Sequence, residues 1–155
     1  MKNIYFYDTK IGRILIAENG IGITNLYLDK NTILEDVEIK ETSLLKEAAQ
    51  QLNDYLSGNR KVFDLPLSPE GTDFQKKVWK ALEEIPYGET RSYGEIAKII
   101  GNPTAARAVG MANNRNPILI FIPCHRVIGT NGSLVGYACG LEIKEQLLTM
   151  EKVKS

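Results

Sequence analysis

Residues 118–127 read Ile118-Leu119-Ile120-Phe121-Ile122-Pro123-Cys124-His125-Arg126-Val127: five apolar residues run into a proline, and a cysteine and the chain's only histidine follow at once. The apolar run reads as a strand buried on both faces. Pro123 cannot donate to a sheet ladder, so the strand is expected to end there. Cys124 then stands where the chain leaves the core, beside a possible base. A thiol is a weak nucleophile until its pKa falls or a neighbour takes its proton, and an imidazole titrates in the right range. The plainer reading is a small buried hydrophobe next to a structural histidine. Neighbouring strand residues also point to opposite faces, so a direct Cys124–His125 bond requires a turn here or a bridging water.

The sequence around this stretch is that of a globular protein. It has 155 residues, 43% hydrophobic and 25% charged, with zero net charge, enough for one ordinary domain or two small ones. No apolar run approaches the ~20 residues that cross a bilayer. The start, Met1-Lys2-Asn3-Ile4-Tyr5, has no signal-peptide apolar block, so a cytoplasmic location is expected. Two cysteines in such a chain are expected to be free thiols. Cys124, His125 and Cys139 fall short of the about four ligands of a structural zinc, so no metal is expected. Residues 1–71 carry 8 basic and 11 acidic side chains, and residues 72–155 carry 11 and 8. An anionic partner would therefore meet the second half.

Taken in order, residues 3–28 read as strands, with Asn19-Gly20 as a hairpin turn and Ile23–Leu28 as the return strand. Residues 29–41 read as an exposed, irregular connection. Thr42 or Ser43 caps a helix over 43–57, with Leu44, Ala48, Leu52 and Leu56 on one face and Gly58 at its end. Lys61–Leu65 reads as a short strand. Pro66, Ser68, Pro69 and Gly71 then mark the linker, which separates an N-terminal domain, 1–70, from a C-terminal one, 71–155. Thr72 caps a helix from Asp73 to about Ile85, where Trp79 reads as a core anchor. Ser92 and Glu95 form a capping box for a helix over Tyr93–Ile100. Asn102 and Pro103 open the next helix, Thr104–Ala112. Two short helices across Gly101-Asn102 are a helix-turn-helix candidate or an ordinary helical hairpin. The second is slim, with alanines, a glycine and one long cation, Arg107. That suits close approach to a nucleic-acid backbone and tight helix packing equally well. A last helix, built on Leu141, Lys144, Leu147 and Leu148, reaches about Glu151, with its apolar side towards the cysteine.

The string Ile122-Pro123-Cys124-His125-Arg126-Val127, with Asn116-Pro117 before it and Gly136-Tyr137 after it, resembles the active-site signature of the O6-alkylguanine-DNA alkyltransferases. The resemblance covers almost the whole chain and is strongest from Phe74 to Glu151. It implies an α/β (α+β) fold: a ribonuclease H-like N-terminal domain with a mainly antiparallel sheet, then a helical domain with a winged helix-turn-helix. It also implies direct repair of O6-methylguanine in double-stranded DNA by one irreversible transfer of the alkyl group to Cys124. No cofactor is implied, and the protein is expected to act as a monomer. Activity on O4-methylthymine stays open.

The resemblance further assigns roles residue by residue. Cys124 is the nucleophile, His125 its base through a water, Glu151 the holder of the histidine, and Asn116 the brace behind the cysteine. The target base must leave the stack to be reached. Arg107 fills the vacated space, and Tyr93 contacts the flipped base. The Ala138 N–H donates to O6, and the main-chain carbonyls of Cys124 and Val127 accept from the exocyclic amine. Asn102 and Thr130 touch the DNA backbone. Leu119 and Phe121 are bulkier than the family pattern, which bears on how large an O6-alkyl group fits. Cys139 stands where glycine is usual and reads as a packing residue. Three rivals remain: a damage-binding module, which would lack the acceptor cysteine; a thiol hydrolase, which would turn over repeatedly; and a transcriptional helix-turn-helix protein, for which one cation gives little direct base readout.

Overall fold

The computed structural model describes residues 1–29, 34–129 and 140–154. They form two compact units, Met1–Glu70 and Gly71–Ser155. In the first, β1 (Lys2–Thr9), β2 (Gly12–Glu18) and β3 (Ile23–Leu28) form an antiparallel meander, and β4 (Val37–Ile39) adds in parallel beside β1. The sheet order is β3-β2-β1-β4. Strand β2 is the centre, with Ile14, Leu15, Ile16 and Ala17 all buried. Its alternation puts Leu15 and Ala17 on one face, where Ile4 joins them and Phe6, Leu34 and Val37 pack alongside. Helix α1 (Ser43–Leu56), capped by Thr42, packs against β1 and β2.

Two expectations for this unit fail. The connection over 29–41 contains strand β4, too short and charged to show periodicity. Lys61–Leu65 is not a strand. There the Gln51 side chain takes the place of a neighbouring strand: the Asp64 N–H donates to Gln51 Oε1 at 2.8 Å, and Gln51 Nε2 donates to the Asp64 carbonyl at 3.1 Å. Gln51 is buried. Replacing it with leucine removes both bonds to the exposed Asp64, so urea unfolding should register a loss of about 1–2 kcal/mol. The Asn19-Gly20 turn is also longer than a two-residue hairpin. Asn19 Oδ1 accepts from the N–H groups of Ile21 and Gly22 at 2.9 and 3.1 Å.

The second unit is built on three mutually packed helices: α2 (Asp73–Glu83), α3 (Tyr93–Ile99) and α4 (Ala106–Asn114). Thr72 with Gln75, and Ser92 with Glu95, form the capping boxes that start α2 and α3. Trp79 is buried and its Nε1–H donates to the Ala112 carbonyl at 2.9 Å, locking α2 to α4 as a core anchor does. Strands β5 (Arg91–Ser92) and β6 (Val127–Ile128) pair in parallel, and α5 (Leu141–Lys154) closes the chain.

Helix α4 starts later than Asn102. The Gly101 N–H bonds to the Lys98 carbonyl at 3.0 Å and the Asn102 N–H to the Ala97 carbonyl at 2.9 Å. That pair of bonds ends α3 and takes Asn102 out of the next cap. Helix α4 begins after Ala105 with no side-chain cap. Among the described residues no helix is long and apolar enough to cross a membrane.

The largest correction concerns residues 118–122. They are buried as expected, yet they form a compact turn rather than a strand. The Phe121 N–H donates to the Leu119 carbonyl at 2.8 Å, and the Ile122 N–H to the Ile118 carbonyl at 3.0 Å. Ile120 takes φ 72°, a left-handed conformation that a β-branched residue adopts at a cost of about 1–3 kcal/mol. A continuous apolar run carries no period, so it reports burial without reporting shape.

Candidate active site

Asn116 holds the turn that presents Cys124. Its Oδ1 accepts from the Ile118 N–H at 2.9 Å and its Nδ2 donates to the Ile122 carbonyl at 2.8 Å. One buried amide thus supplies what a neighbouring strand would have supplied. Pro123 follows with φ −79° and ψ 64°, and the Cys124 N–H closes back on the Ile122 carbonyl at 2.7 Å, an inverse γ-turn. Cys124, His125 and Arg126 then form one turn of 3-10 helix. The objection that strand neighbours point apart therefore falls away. Cys124 and His125 are both 0% exposed, and Cys124 is a free thiol.

Glu151 on α5 gathers this turn. His125 Nε2 lies 2.7 Å from Glu151 Oε2. Arg126 clasps the same carboxylate with two N–H groups, Nε to Oε1 at 2.9 Å and Nη2 to Oε2 at 3.0 Å. The Gly88 N–H adds a fourth bond, to Oε1 at 3.2 Å. Arg126 also donates to the Ile85 carbonyl at 2.7 Å. Burial alone would raise the Glu151 carboxyl, but its hydrogen bonds to His125 and Arg126, with the Arg126 charge, hold it well down, at about 2. Burial pushes the His125 imidazole below its ordinary value despite the bond to Glu151, and the charges of Arg126 and Lys144 push the same way. With Arg126 balancing the carboxylate, His125 stays neutral and donates Nε2–H to Glu151, which fixes the tautomer and leaves Nδ1 as the basic nitrogen.

Three further residues stand around the Cys124 turn. Tyr93, half-buried at the start of α3, has its phenol pKa raised, first by burial and then by the Cys124 charge, so it keeps its proton. Lys144 on α5 is 0% exposed, and its Nζ donates to the Val127 carbonyl at 2.6 Å. Asn113, buried on α4, donates to the Cys124 carbonyl at 3.4 Å.

Of the expected site residues, Cys124, His125, Glu151 and Asn116 meet in one place. Val127 adjoins them and Tyr93 feels the Cys124 charge, whereas Arg107 and Asn102 are exposed, on α4 and on the loop before it. Ala138 and Thr130, with Gly136, Tyr137 and Cys139, lie outside the described residues.

Comparison with known proteins decides the family. The chain matches the 6-O-methylguanine DNA methyltransferase DNA-binding domain over residues 73–153 and the ribonuclease-like domain of the same proteins over residues 4–69. It is 57% identical to the methylated-DNA–protein-cysteine methyltransferase of Methanosarcina acetivorans, covering 94% of this chain and 95% of that one. The constitutive enzyme of that name from Bacillus subtilis is 52% identical, over 94% and 93% of the two chains. The chain belongs to the O6-alkylguanine-DNA alkyltransferase family. Within that family, the solved structure of Mycobacterium tuberculosis OGT in complex with DNA superposes with a TM-score of 0.93 at 48% identity, covering 99% of this chain and 94% of that one. The expected fold, a sheet domain followed by a helical DNA-binding domain, is the alkyltransferase fold.

Sequence reasoning missed three members of the site: Arg126, Lys144 and Asn113. Arg126 stands inside the quoted signature with no assigned role. Lys144 enters the sequence reading only as one of the residues that build the last helix, and Asn113 falls just past the expected end of the helix Thr104–Ala112. Helix α5 does not turn an apolar side to the cysteine. Its buried stripe is Lys144, Leu147 and Glu151, spaced by three and four residues.

Proposed function

We propose that this protein reverses O6-alkylguanine damage in duplex DNA by taking the alkyl group onto Cys124, once per molecule. The observation that carries the reading is a fully buried free thiol, Cys124, followed by a histidine whose Nε2 sits 2.7 Å from a carboxylate, in a chain of this family. The base-plus-orienter arrangement is that of nucleophilic triads.

The steps follow from the chemistry of the parts. Residues 71–155 carry the DNA-binding and acceptor chemistry. Helix α4 approaches the duplex with Arg107, which occupies the space left by the extruded nucleotide. Asn102 and Thr130 steady the strand at its phosphates. The carbonyls of Cys124 and Val127 accept from the exocyclic amine, and Ala138 N–H donates to O6. Val127 O already accepts from Lys144, and a carbonyl has a second lone pair to give. His125, neutral and held by Glu151, takes the Cys124 proton through a water. The thiolate attacks the alkyl carbon, an S–C bond forms, and the C–O bond breaks with its electron pair staying on the base. Tyr93, which retains its phenolic proton, donates a hydrogen bond to the departing guanine anion, and the proton that His125 took from Cys124 is returned through water to the base, restoring guanine. The product thioether has no hydrolytic exit, which makes the reaction a single turnover. A cytoplasmic setting keeps the thiol reduced, and a monomer suffices.

The deciding experiment mixes the protein with a duplex carrying O6-methylguanine and maps the peptides by mass. One methyl group on the Cys124 peptide, with stoichiometric restoration of guanine, is the expected result. Unmodified protein beside unrepaired DNA, with the fold intact by circular dichroism, overturns it.

A further inference from the structure

We propose that Asn113 is a specificity-determining residue of the base pocket: its amide oxygen accepts an N–H of the guanine's exocyclic amine beside the Cys124 carbonyl. The inference rests on the functional reading above and adds a base-reading side chain to it.

Asn113 sits in the last turn of α4, the helix that carries Arg107, and is 0% exposed. The backbone beside it is held in place, since Trp79 Nε1–H donates to the Ala112 carbonyl at 2.9 Å. Asn113 Nδ2 donates to the Cys124 carbonyl at 3.4 Å. A carbonyl can only accept, so the NH2 end of the amide must face Cys124 and the oxygen must face elsewhere. That oxygen is buried and has no hydrogen-bond partner among the described residues. Buried amide oxygens are nearly always paired, and one left open calls for an explanation. The Cys124 carbonyl is in the opposite state. It accepts from the Val127 N–H as well as from Asn113, which uses both of its lone pairs. An amine N–H arriving there is a third donor for one oxygen. Asn113 Oδ1, on the same amide group that touches this carbonyl, is the acceptor at hand. One amine N–H therefore goes to the Val127 carbonyl, and the other is shared between the Cys124 carbonyl and Asn113 Oδ1. A site built to bond an N–H discriminates against a base that lacks it, because the buried acceptor is then left open. Asn113 takes no part in the proton transfer or in forming the S–C bond.

The test uses the full chain and two duplexes, one with O6-methylguanine and one with O6-methylhypoxanthine, which carries hydrogen in place of the exocyclic amine. Methylation of the Cys124 peptide is followed by mass against time. The unsubstituted protein should react faster with methylguanine. Asn113→Leu is close in size and has no polar side-chain atoms. It should lose about tenfold on O6-methylguanine, the worth of one hydrogen bond, and change by less than about twofold on O6-methylhypoxanthine. An equal loss on both duplexes, or an unaltered preference, makes Asn113 no more than a brace for the Cys124 carbonyl and overturns the proposal. Should the leucine variant not fold by circular dichroism, the side-chain amide signal of 15N-labelled Asn113 decides, read in Cys124→Ala so that no transfer occurs. It must move further on binding the methylguanine duplex than on binding the methylhypoxanthine duplex, and equal movement overturns the inference. Absence of transfer from either duplex by the unsubstituted protein sinks the functional reading and this inference with it, whereas an unaltered preference sinks this one alone.

Discussion

Cys124→Ser stops methyl transfer from O6-methylguanine while the folded protein still binds the damaged duplex. The reason is acidity. A neutral imidazole such as His125 can take a proton from a thiol near neutral pH but has little pull on an alcohol, and the thiolate is the effective nucleophile. The transfer rate should therefore fall to the uncatalysed background rather than by a modest factor. Serine puts a hydroxyl at a site with 0% exposure, which costs about 1–3 kcal/mol if it finds no partner. Cys124→Ala supplies the control, since it removes the sulfur with no new polar group. Both variants should bind the lesion duplex in a gel-shift titration and release it chemically unchanged. Full-speed demethylation by Cys124→Ser would remove the sulfur from the mechanism.

The parts of this site that could be read from residues alone are those with a local signal. Cys124 and His125 adjoin in a distinctive string. Glu151 lies at the end of a periodic helix, and Asn116 stands just before a proline. The shape of the segment between Asn116 and Cys124 could not be read in the same way. Five consecutive apolar residues announce burial, and a strand is the commonest buried form. The alternative becomes visible only when the Asn116 amide is seen satisfying the Ile118 N–H and the Ile122 carbonyl. Gln51 does the same for Asp64 in the first unit. In both places one side chain does what a sheet neighbour would, and no pattern of hydrophobicity encodes that. The roles of Arg126 and Lys144 escaped for the opposite reason. A long cation carries no signal of its own for burial, and only the three-dimensional packing of α5 on the 3-10 turn shows what the two buried side chains bond to. The Ser92–Glu95 capping box and the Thr72 cap, by contrast, were legible because a cap is a property of four adjacent residues.

Glu151→Gln should be the most damaging change outside the nucleophile, because the carboxylate serves the fold and the chemistry at once. It accepts from His125, from Arg126 twice and from Gly88. Glutamine offers one acceptor oxygen and turns an NH2 towards donors, leaving the buried Arg126 charge uncompensated. Breaking a buried pair from one side costs about 3–5 kcal/mol, a fall in Tm of roughly 10 °C for a chain of this size. Transfer, measured well below that Tm, should drop on the order of 100-fold or more, since His125 loses the bond that sets its tautomer. Acid sensitivity gives a separate reading. The Glu151 carboxyl lies at about 2 when folded, against 4.5 unfolded. Its contribution is therefore present above pH 4.5 and lost as pH falls towards 2. His125 is pushed below its ordinary 6.5, so the unfolded chain binds that proton more readily and stability declines as pH drops below 6.5. Both act in the same direction, and the wild-type stability curve from urea unfolding should slope down from pH 6.5 to pH 2. In Glu151→Gln the segment below pH 4.5 should flatten. An unchanged slope there, together with an undiminished transfer rate, would show that the carboxylate neither anchors the turn nor orients the base.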